Sequence, residues 1–299
     1  MSIYRIAHLS DPHLPPPPGA FRLKDVFTKR LLSRIAWRRK RKVHRPDVLA
    51  ELIDDLKVAS PDHVVISGDL TNFASRTEIA AARTWLESLG DPKDFTVSPG
   101  NHDALAGRGG AERFAAWTPW LGDDNAAAFP QVRVRDPVAI FNLCSAVKTA
   151  PHLATGRLGE EQLHRLDVLL ADPAYADLFR IVVLHHPPQK GAVAKRKALE
   201  DQEALRAVLA QRGANLVLHG HAHESLVGSV AGPNGAAIPV LGVPSASAQP
   251  SGHSPARWHS IEIERRPAGG FQASVVVRGI EPEREGLTEL GRYRLADIA

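Results

Sequence analysis

The sequence is poor in the features that mark disulfide-bonded, secreted and membrane-spanning proteins. Cys144 is the one cysteine among 299 residues, so no internal disulfide can form and a reducing compartment fits best. No stretch reaches the roughly 18 apolar residues that span a bilayer, and residues 1–9 lack the basic start and cleavage site of a signal peptide. We therefore expect a soluble, cytoplasmic protein.

Positive charge is concentrated in one segment. The net charge is only +4, yet residues 22–45 hold eleven Lys or Arg against one acidic residue, Asp25. Apolar residues recur there at helical spacing with basic residues on nearly the same face, which favours a helix lying at an interface. Three interpretations stay open, namely a solvated cover, a nucleic-acid contact, and contact with anionic lipid at the inner face of a membrane. The residues assigned to such a contact, or to the substrate, are Arg30, Arg34, Trp37, Arg38 and Arg39.

Strand and helix patterns alternate along most of the chain. Buried strands are predicted at 3–9, 63–67, 95–98, 139–144, 179–184 and 214–218, and helices at 47–59, 78–89, 160–170 and 201–211. This alternation predicts an α/β fold whose functional loops follow the strands. From about residue 238 strand patterns stand alone, and we interpret them as a second, more antiparallel sheet. The whole chain, 1–299, is predicted to be a single domain with a basic helical insert at about 22–45.

Metal-binding residue types directly follow five of the predicted strands. They are Asp11, His13, Asp69, Asn101, His185, His221 and His223. The short segments around these residues contain seven of the fourteen histidines, which argues against coincidence. They are His13, His102, His185, His186, His219, His221 and His223. Oxygen and nitrogen donors without a thiolate suit two divalent ions such as Mn, Fe or Zn. Two ions about 3.5 to 4 Å apart lower the pKa of water from 15.7 towards about 7 and neutralise phosphoryl charge, so such a site favours attack on phosphorus.

The same stretches resemble the calcineurin-like metallophosphoesterase superfamily. Its motifs stand here, in order, as Asp11-Pro12-His13, Gly68-Asp69, Gly100-Asn101-His102-Asp103, His185 and Gly220-His221-Ala222-His223. The resemblance covers residues 3 to about 225. It implies a four-layer αββα sandwich of two mixed β-sheets flanked by helices. It also implies that Asp11, His13 and His223 hold one metal ion, that Asn101, His185 and His221 hold the other, and that Asp69 bridges the two.

The resemblance further implies a role for His102, which faces the substrate in the family and stabilises the transition state or protonates the leaving oxygen. His186 is a weaker candidate for the substrate side. In the phosphoprotein phosphatases of this superfamily, an Asp three residues after the bridging Asp supports the catalytic histidine. Asn72 stands at that position, which favours the phosphodiesterase branch.

Three classes of function follow. The first is hydrolysis of a phosphodiester or pyrophosphate in a lipid-linked or nucleotide-linked molecule, of which UDP-diacylglucosamine is one example. In this case residues 22–45 would hold the enzyme on an anionic membrane or enclose an acyl chain. The second is a soluble cyclic-nucleotide phosphodiesterase. The third is a nuclease or a non-catalytic scaffold, which the complete ligand set and the short remainder after the last motif disfavour. No obligate protein partner is predicted.

Overall fold

The protein was analysed as a computed structural model. It describes residues 3–21, 43–105, 111–123, 128–281 and 286–295, and the helical residues Leu31, Arg34 and Trp37. The predicted contact residues Arg30, Arg38 and Arg39 lie outside this part of the chain. Among the described residues, no helix has both the length and the apolar character needed to cross a membrane.

Two mixed sheets of six strands each form the centre of the described structure. The first sheet contains β1 (Tyr4–Leu9), β2 (His63–Ile66), β3 (Phe95–Val97), β10 (Arg257–Arg265), β11 (Phe271–Ile280) and β12 (Leu287–Arg294) in the order β12-β11-β10-β1-β2-β3. The second contains β4 (Gln131–Arg135), β5 (Val138–Asn142), β6 (Phe179–Val183), β7 (Leu216–His219), β8 (Leu226–Ala231) and β9 (Ala237–Gly242) in the order β4-β5-β6-β7-β9-β8. The parallel strands are β1-β2-β3, which form one half of the first sheet, and β5-β6-β7-β9, which form the centre of the second.

Helices cover the outer face of each sheet. They are α1 (Pro46–Ala59), α2 (Arg76–Leu89), α3 (Thr118–Leu121), α4 (Glu160–Ala171) and α5 (Gln202–Arg212). Leu52 of α1 and Leu86 of α2 pack against the first sheet, while Leu166 of α4 and Leu209 of α5 pack against the second. The result is the four-layer αββα sandwich that the resemblance implies.

Each central strand contributes side chains to two apolar cores, one on each face of its sheet, because successive side chains point to opposite faces. In β1, Ile6 belongs to the core between the two sheets, whereas Ala7 and Leu9 belong to the core beneath α1 and α2. In β6, Ile181 faces the other sheet and Val182 faces α4 and α5. These side chains are fully buried, and each Val, Leu or Ile buried in this way contributes roughly 1.5–3 kcal/mol.

The prediction that the last strands form a sheet of their own is wrong. β10 pairs antiparallel with β1, and β11 and β12 extend that first sheet outward. β9 instead pairs parallel with β7 in the second sheet. The last strands therefore extend both sheets. Through the pairing of β10 with β1, the last part of the chain lies directly beside its first strand.

Candidate active site

The carboxyl ends of five parallel strands meet at one edge of the sandwich. β1, β2 and β3 of the first sheet lead into the loops that carry Asp11, Asp69 and Asn101. β6 and β7 of the second sheet lead into those of His185 and His221. Since loops beyond the carboxyl ends of parallel strands form the binding crevice of open α/β sheets, this edge is the expected place for a site.

Four of the predicted ligands form one close set. Nε2 of His223 is 3.0 Å from Oδ1 of Asp11 and 3.4 Å from Nε2 of His13. Nε2 of His13 is also 3.9 Å from Oδ2 of Asp69. Ligand atoms of Asp11, His13, Asp69 and His223 all lie within 4.8 Å of one another, as the donors of one cation must.

Asp69 also belongs to a second set. Its Oδ2 is 3.3 Å from Nε2 of His185, and that nitrogen is 3.2 Å from Oδ1 of Asn101. Ligand atoms of Asp69, His185 and His221 lie within the same 4.8 Å range. The structure thus brings all seven predicted ligands together, with Asp69 common to the two sets.

Hydrogen bonds to backbone carbonyls fix the rings of the second set. Nδ1 of His185 lies 2.7 Å from the carbonyl oxygen of Ser67, and Nε2 of His221 lies 2.9 Å from that of Lys197. Because a carbonyl oxygen only accepts, each of these nitrogens carries its hydrogen. The opposite nitrogen, Nε2 of His185 and Nδ1 of His221, is left as the donor for a metal, a common arrangement around ligating histidines.

The backbone at these residues is unusual. Five candidate ligands have left-handed backbone dihedrals that are rare outside glycine, namely Asp11, His13, Asp69, His221 and His223. Such conformations cost about 1–3 kcal/mol each and gather at functional sites. Glycine also makes room for the carboxylates, since a Cβ on Gly100 would lie 2.2 Å from Oδ1 of Asp69. The chain holds these loops in costly geometry to keep the donors together.

The donor set fits divalent metal ions. Asp11 is fully buried, its Oδ2 accepts from Ser10 Oγ at 2.6 Å and from the His221 N–H at 3.0 Å, and its Oδ1 faces two other candidate ligands, with Nε2 of His223 at 3.0 Å and Nε2 of His13 at 3.8 Å. Burial opposes ionisation of Asp11, but the neighbouring His223 and His185 outweigh it and hold the pKa well below its usual range. A buried, ionised carboxylate that faces imidazole nitrogens is a site that a cation can occupy. Carboxylates, imidazoles and an amide oxygen without thiolate suit Mn, Fe or Zn.

His102 lies beside this centre and is held by the loop after β2. Its backbone N–H donates to Oδ1 of Asp69 at 2.7 Å, and its Nδ1–H donates to the carbonyl oxygen of Asn72 at 3.1 Å. Glu78 shapes that loop, because its carboxylate accepts from the N–H groups of Asn72, Phe73 and Ser75. The Asn72 side chain donates to the Leu14 carbonyl oxygen at 2.7 Å. His102 is therefore supported by a backbone carbonyl and not by a carboxylate.

Asp103 supports the loop without lining the site cavity. Its carboxylate accepts from the N–H groups of Gly100 at 2.9 Å and Thr71 at 2.8 Å, and from the Thr71 hydroxyl at 2.9 Å. Burial, with Asp69 nearby, raises its pKa to about 7. Asp103 ties the loop after β3 to the loop after β2.

His186 lies behind the site, not on its substrate side. It is fully buried, with Nδ1 2.8 Å from Ser145 Oγ and Nε2 3.2 Å from the Ala154 carbonyl oxygen. It is absent from the lining of the site cavity. Because both ring nitrogens are engaged by the protein, the substrate contact predicted for His186 has no support in the structure.

A cavity of about 320 Å³ opens over the ligands. Its lining includes Trp37, which was predicted as a contact residue, and also His44 and Lys197. Trp37 also packs edge-on to Phe73, with ring centroids 6.2 Å apart, so the basic segment reaches the cavity. Arg34 lies over the ring of Phe21 at 4.3 Å and is not a lining residue. His44 and Lys197 were not predicted, because neither stands in a recognisable motif.

The sequence over residues 4–225 matches the family model for calcineurin-like phosphoesterases. The chain belongs to this family. Membership makes it a phosphoester hydrolase of the metallophosphoesterase type, and the dinuclear centre used by the family accounts for the two donor sets that share Asp69.

The proteins to which this chain is similar agree with its assignment to the calcineurin-like phosphoesterase family. A probable cyclic nucleotide phosphodiesterase of Synechococcus sp. is 28% identical over 237 residues, which cover 76% of this chain and 80% of that protein. Among solved structures, a dimetal phosphatase from Danio rerio has a TM-score of 0.53 at 13% identity, covering 97% of this chain and 98% of that one. A purple acid phosphatase from yellow lupin, Lupinus luteus, has a TM-score of 0.59 at 12% identity, covering 98% of this chain and 53% of that one. At such identity the two structures bear on the fold alone.

Proposed function

We propose that the protein is a dinuclear metal-dependent phosphodiesterase. The observation that carries the proposal is the pair of donor sets sharing Asp69, with His102 beside them held by the Asn72 carbonyl. A carboxylate behind the catalytic histidine belongs to the phosphoprotein phosphatases of the family, and this chain has none at that position. The arrangement therefore favours diesters over phosphoprotein monoesters.

The ligands divide between two ions of Mn, Fe or Zn. Asp11, His13 and His223 would hold one ion, Asn101, His185 and His221 the other, and Asp69 both. When bound, such ions supply Lewis-acid chemistry, neutralising phosphoryl charge and providing a nucleophilic water near neutral pH.

His102 serves the leaving group in this proposal. Its Nδ1–H is committed to Asn72, so the imidazolium form of the ring carries its second, transferable proton at Nε2, on the opposite side of the ring. Hydrolysis forms one bond from phosphorus to a water oxygen and breaks one bond from phosphorus to an ester oxygen. The departing oxygen takes the proton from Nε2, and the water releases one proton to solvent. General acid catalysis of this kind contributes typically 10²–10⁴-fold in rate.

A cyclic nucleotide is the substrate class with the most support. The similar Synechococcus protein carries that name, and its similarity extends over most of both chains. The cavity lining also includes an aromatic residue, Trp37, and a cationic residue, Lys197. A planar base can stack on an aromatic face, and a phosphate attracts a cation.

A lipid-linked diester or pyrophosphate is the second candidate, because Trp37 brings the basic segment to the cavity. Turnover with added Mn compares the two candidates, using cyclic AMP in solution and a UDP-linked diacyl lipid in mixed micelles. We expect cyclic AMP to reach a kcat/KM of about 10⁴ M⁻¹s⁻¹ or more, the lower bound of common enzymes. A lipid substrate turned over at least tenfold faster, together with binding to anionic vesicles, would replace the cyclic nucleotide as the proposed substrate.

A further inference from the structure

His44 lies in the site cavity although it stands in none of the motifs. Its ring centroid is 4.3 Å from that of His13 and 5.6 Å from that of His223. We propose that His44 binds the substrate phosphoryl group by donating a hydrogen bond from Nε2 to a non-bridging oxygen. The proposal rests on phosphoester hydrolysis at this site and not on a particular substrate.

The backbone of His44 is fixed on both sides. His44 forms an antiparallel bridge with Ala248. The N–H of Arg45 donates to the Ser247 carbonyl oxygen at 2.7 Å, and the N–H of Gln249 donates to the Val43 carbonyl oxygen at 2.8 Å. The end of the basic segment is thereby attached to the loop after β9.

Two serine hydroxyls orient the ring. Nδ1 of His44 lies 3.0 Å from Ser247 Oγ and 3.3 Å from Ser245 Oγ. Ser245 Oγ donates its hydrogen to the Asp11 carbonyl oxygen at 2.6 Å, so it can only accept from other groups. The Ser247 hydroxyl is within reach to donate to Nδ1 of His44, and in that arrangement the neutral ring carries its hydrogen at Nε2. Ser245 links this orientation directly to the backbone of a metal ligand.

The position of His44 suits a phosphate contact better than metal ligation. Ligand atoms of His44, His13 and His223 lie within 4.8 Å of one another, but His44 does not join the set that includes the carboxylates of Asp11 and Asp69. A cation held by those carboxylates would lie close to Asp11 and Asp69. His44 has only two neighbours in common with that set, namely His13 and His223. His102 also lies beside His13, with ring centroids 5.0 Å apart, and it lines the same cavity as His44. A phosphoryl group in this cavity would thus meet both histidines.

The test measures phosphate binding and metal content in the Mn-loaded enzyme. His44→Ala should raise the dissociation constant of inorganic phosphate, measured by calorimetry, and the KM of bis-nitrophenyl phosphate by about tenfold, the effect of one lost hydrogen bond to a charged group. Two metal ions per chain should remain by mass spectrometry. His44→Gln keeps an N–H donor and should recover part of the phosphate affinity. His164→Ala, which removes an exposed histidine from α4, is the matched control and should change neither quantity.

Two results would overturn the proposal. Loss of one metal ion in both His44→Ala and His44→Gln would make His44 a metal ligand. Unchanged phosphate affinity with both ions present would leave it without a role in binding. Ser247→Ala, which leaves the imidazole in place, should weaken phosphate binding by a smaller factor, so the idea stays testable if His44→Ala does not fold. Because phosphate binding needs no turnover, a failure of the diesterase assignment would be recognised separately.

Discussion

The Nδ1–H of His102 donates a 3.1 Å hydrogen bond to the carbonyl oxygen of Asn72. This bond fixes the imidazole and turns Nε2 away from the supporting loop. The N–H of Asn72 in turn donates to Glu78, which places the carbonyl oxygen. Since Glu78 is the third residue of α2, the beginning of that helix supports the proposed proton donor.

Replacing His102 should separate catalysis from metal binding. His102→Ala removes the proton for the leaving oxygen but none of the predicted ligands, so kcat on a diester should fall about 10²–10⁴-fold. Metal content by mass spectrometry should stay at two ions per chain. Full activity on a diester with a poor leaving group would show that His102 does not have this role.

The neighbouring residue should behave in the opposite way. Asn101→Ala removes an amide oxygen that lies 3.2 Å from Nε2 of His185. The variant should bind one of the two metal ions more weakly, which a Mn titration of the metal-free protein would show as a single weakened step. Equal weakening of both steps would contradict the division of ligands proposed here.

Changing Asn72 tests the support of His102. The Asn72 side chain is buried and donates to the Leu14 carbonyl oxygen. Asn72→Ala loses this hydrogen bond, which costs about 1–3 kcal/mol. Asn72→Asp loses it too and also places a carboxylate against the Leu14 carbonyl oxygen. A buried charge without a donor adds to the cost, so the Asp variant loses more stability. In urea unfolding, Asn72→Asp should be less stable than Asn72→Ala. An Asp variant at least as stable as the Ala variant would mean that the new carboxylate finds another partner, with His102 the nearest candidate.

Close packing at Gly220 should be essential to the first metal set. A Cβ at Gly220 would lie 1.8 Å from Ser10 Oγ and 2.5 Å from Oδ2 of Asp11. Gly220→Ala should cost about 1–3 kcal/mol through overpacking and should weaken metal binding at Asp11. Gly291→Ala on β12 is the control, because no atom of the residues that the structure describes lies within 4 Å of its Cβ position. If both variants unfold in urea like the wild type, the packing at Gly220 is looser than described.

Buried histidines away from the site should make stability depend on pH. Burial, with Arg257 and His219 nearby, lowers the pKa of His259 from 6.5 to about 4. Between these values the unfolded chain binds a proton that the folded chain does not, so this contribution to stability is lost as the pH falls from about 6.5 to about 4. His259→Gln should reduce the slope of the metal-free protein's unfolding free energy against pH by up to about 1.4 kcal/mol per pH unit. An unchanged slope in this range would contradict the buried, neutral state of His259.

The strand and helix positions and the candidate ligands followed from local patterns in the sequence. Each predicted ligand stands directly after a buried apolar run, so the parallel arrangement of those runs is enough to bring Asp11, Asp69 and Asn101 together. The beginning of α2 at Arg76 was also recognisable, because Ser75 and Glu78 form a capping box. The prediction had started that helix at Glu78 and so missed its contact with the loop of Asn72.

What the sequence could not show depends on partners distant along the chain. β4, β8 and β12 were missed, and β12 is an edge strand without a buried residue, which has little apolar alternation to reveal it. The place of β10 beside β1 depends on pairing across the length of the chain. The same holds for His44, which reaches His13 only because it bridges to Ala248. His186 follows His185 directly, yet its side chain points into the protein and bonds Ser145.

The central claim, that this metal centre hydrolyses diesters, is tested most directly by one ratio. The Mn-loaded enzyme is assayed with bis-nitrophenyl phosphate and with nitrophenyl phosphate, and kcat/KM is compared between the diester and the monoester. The arrangement of His102 on the Asn72 carbonyl predicts that the diester is preferred at least tenfold. Turnover of the monoester alone would contradict the account.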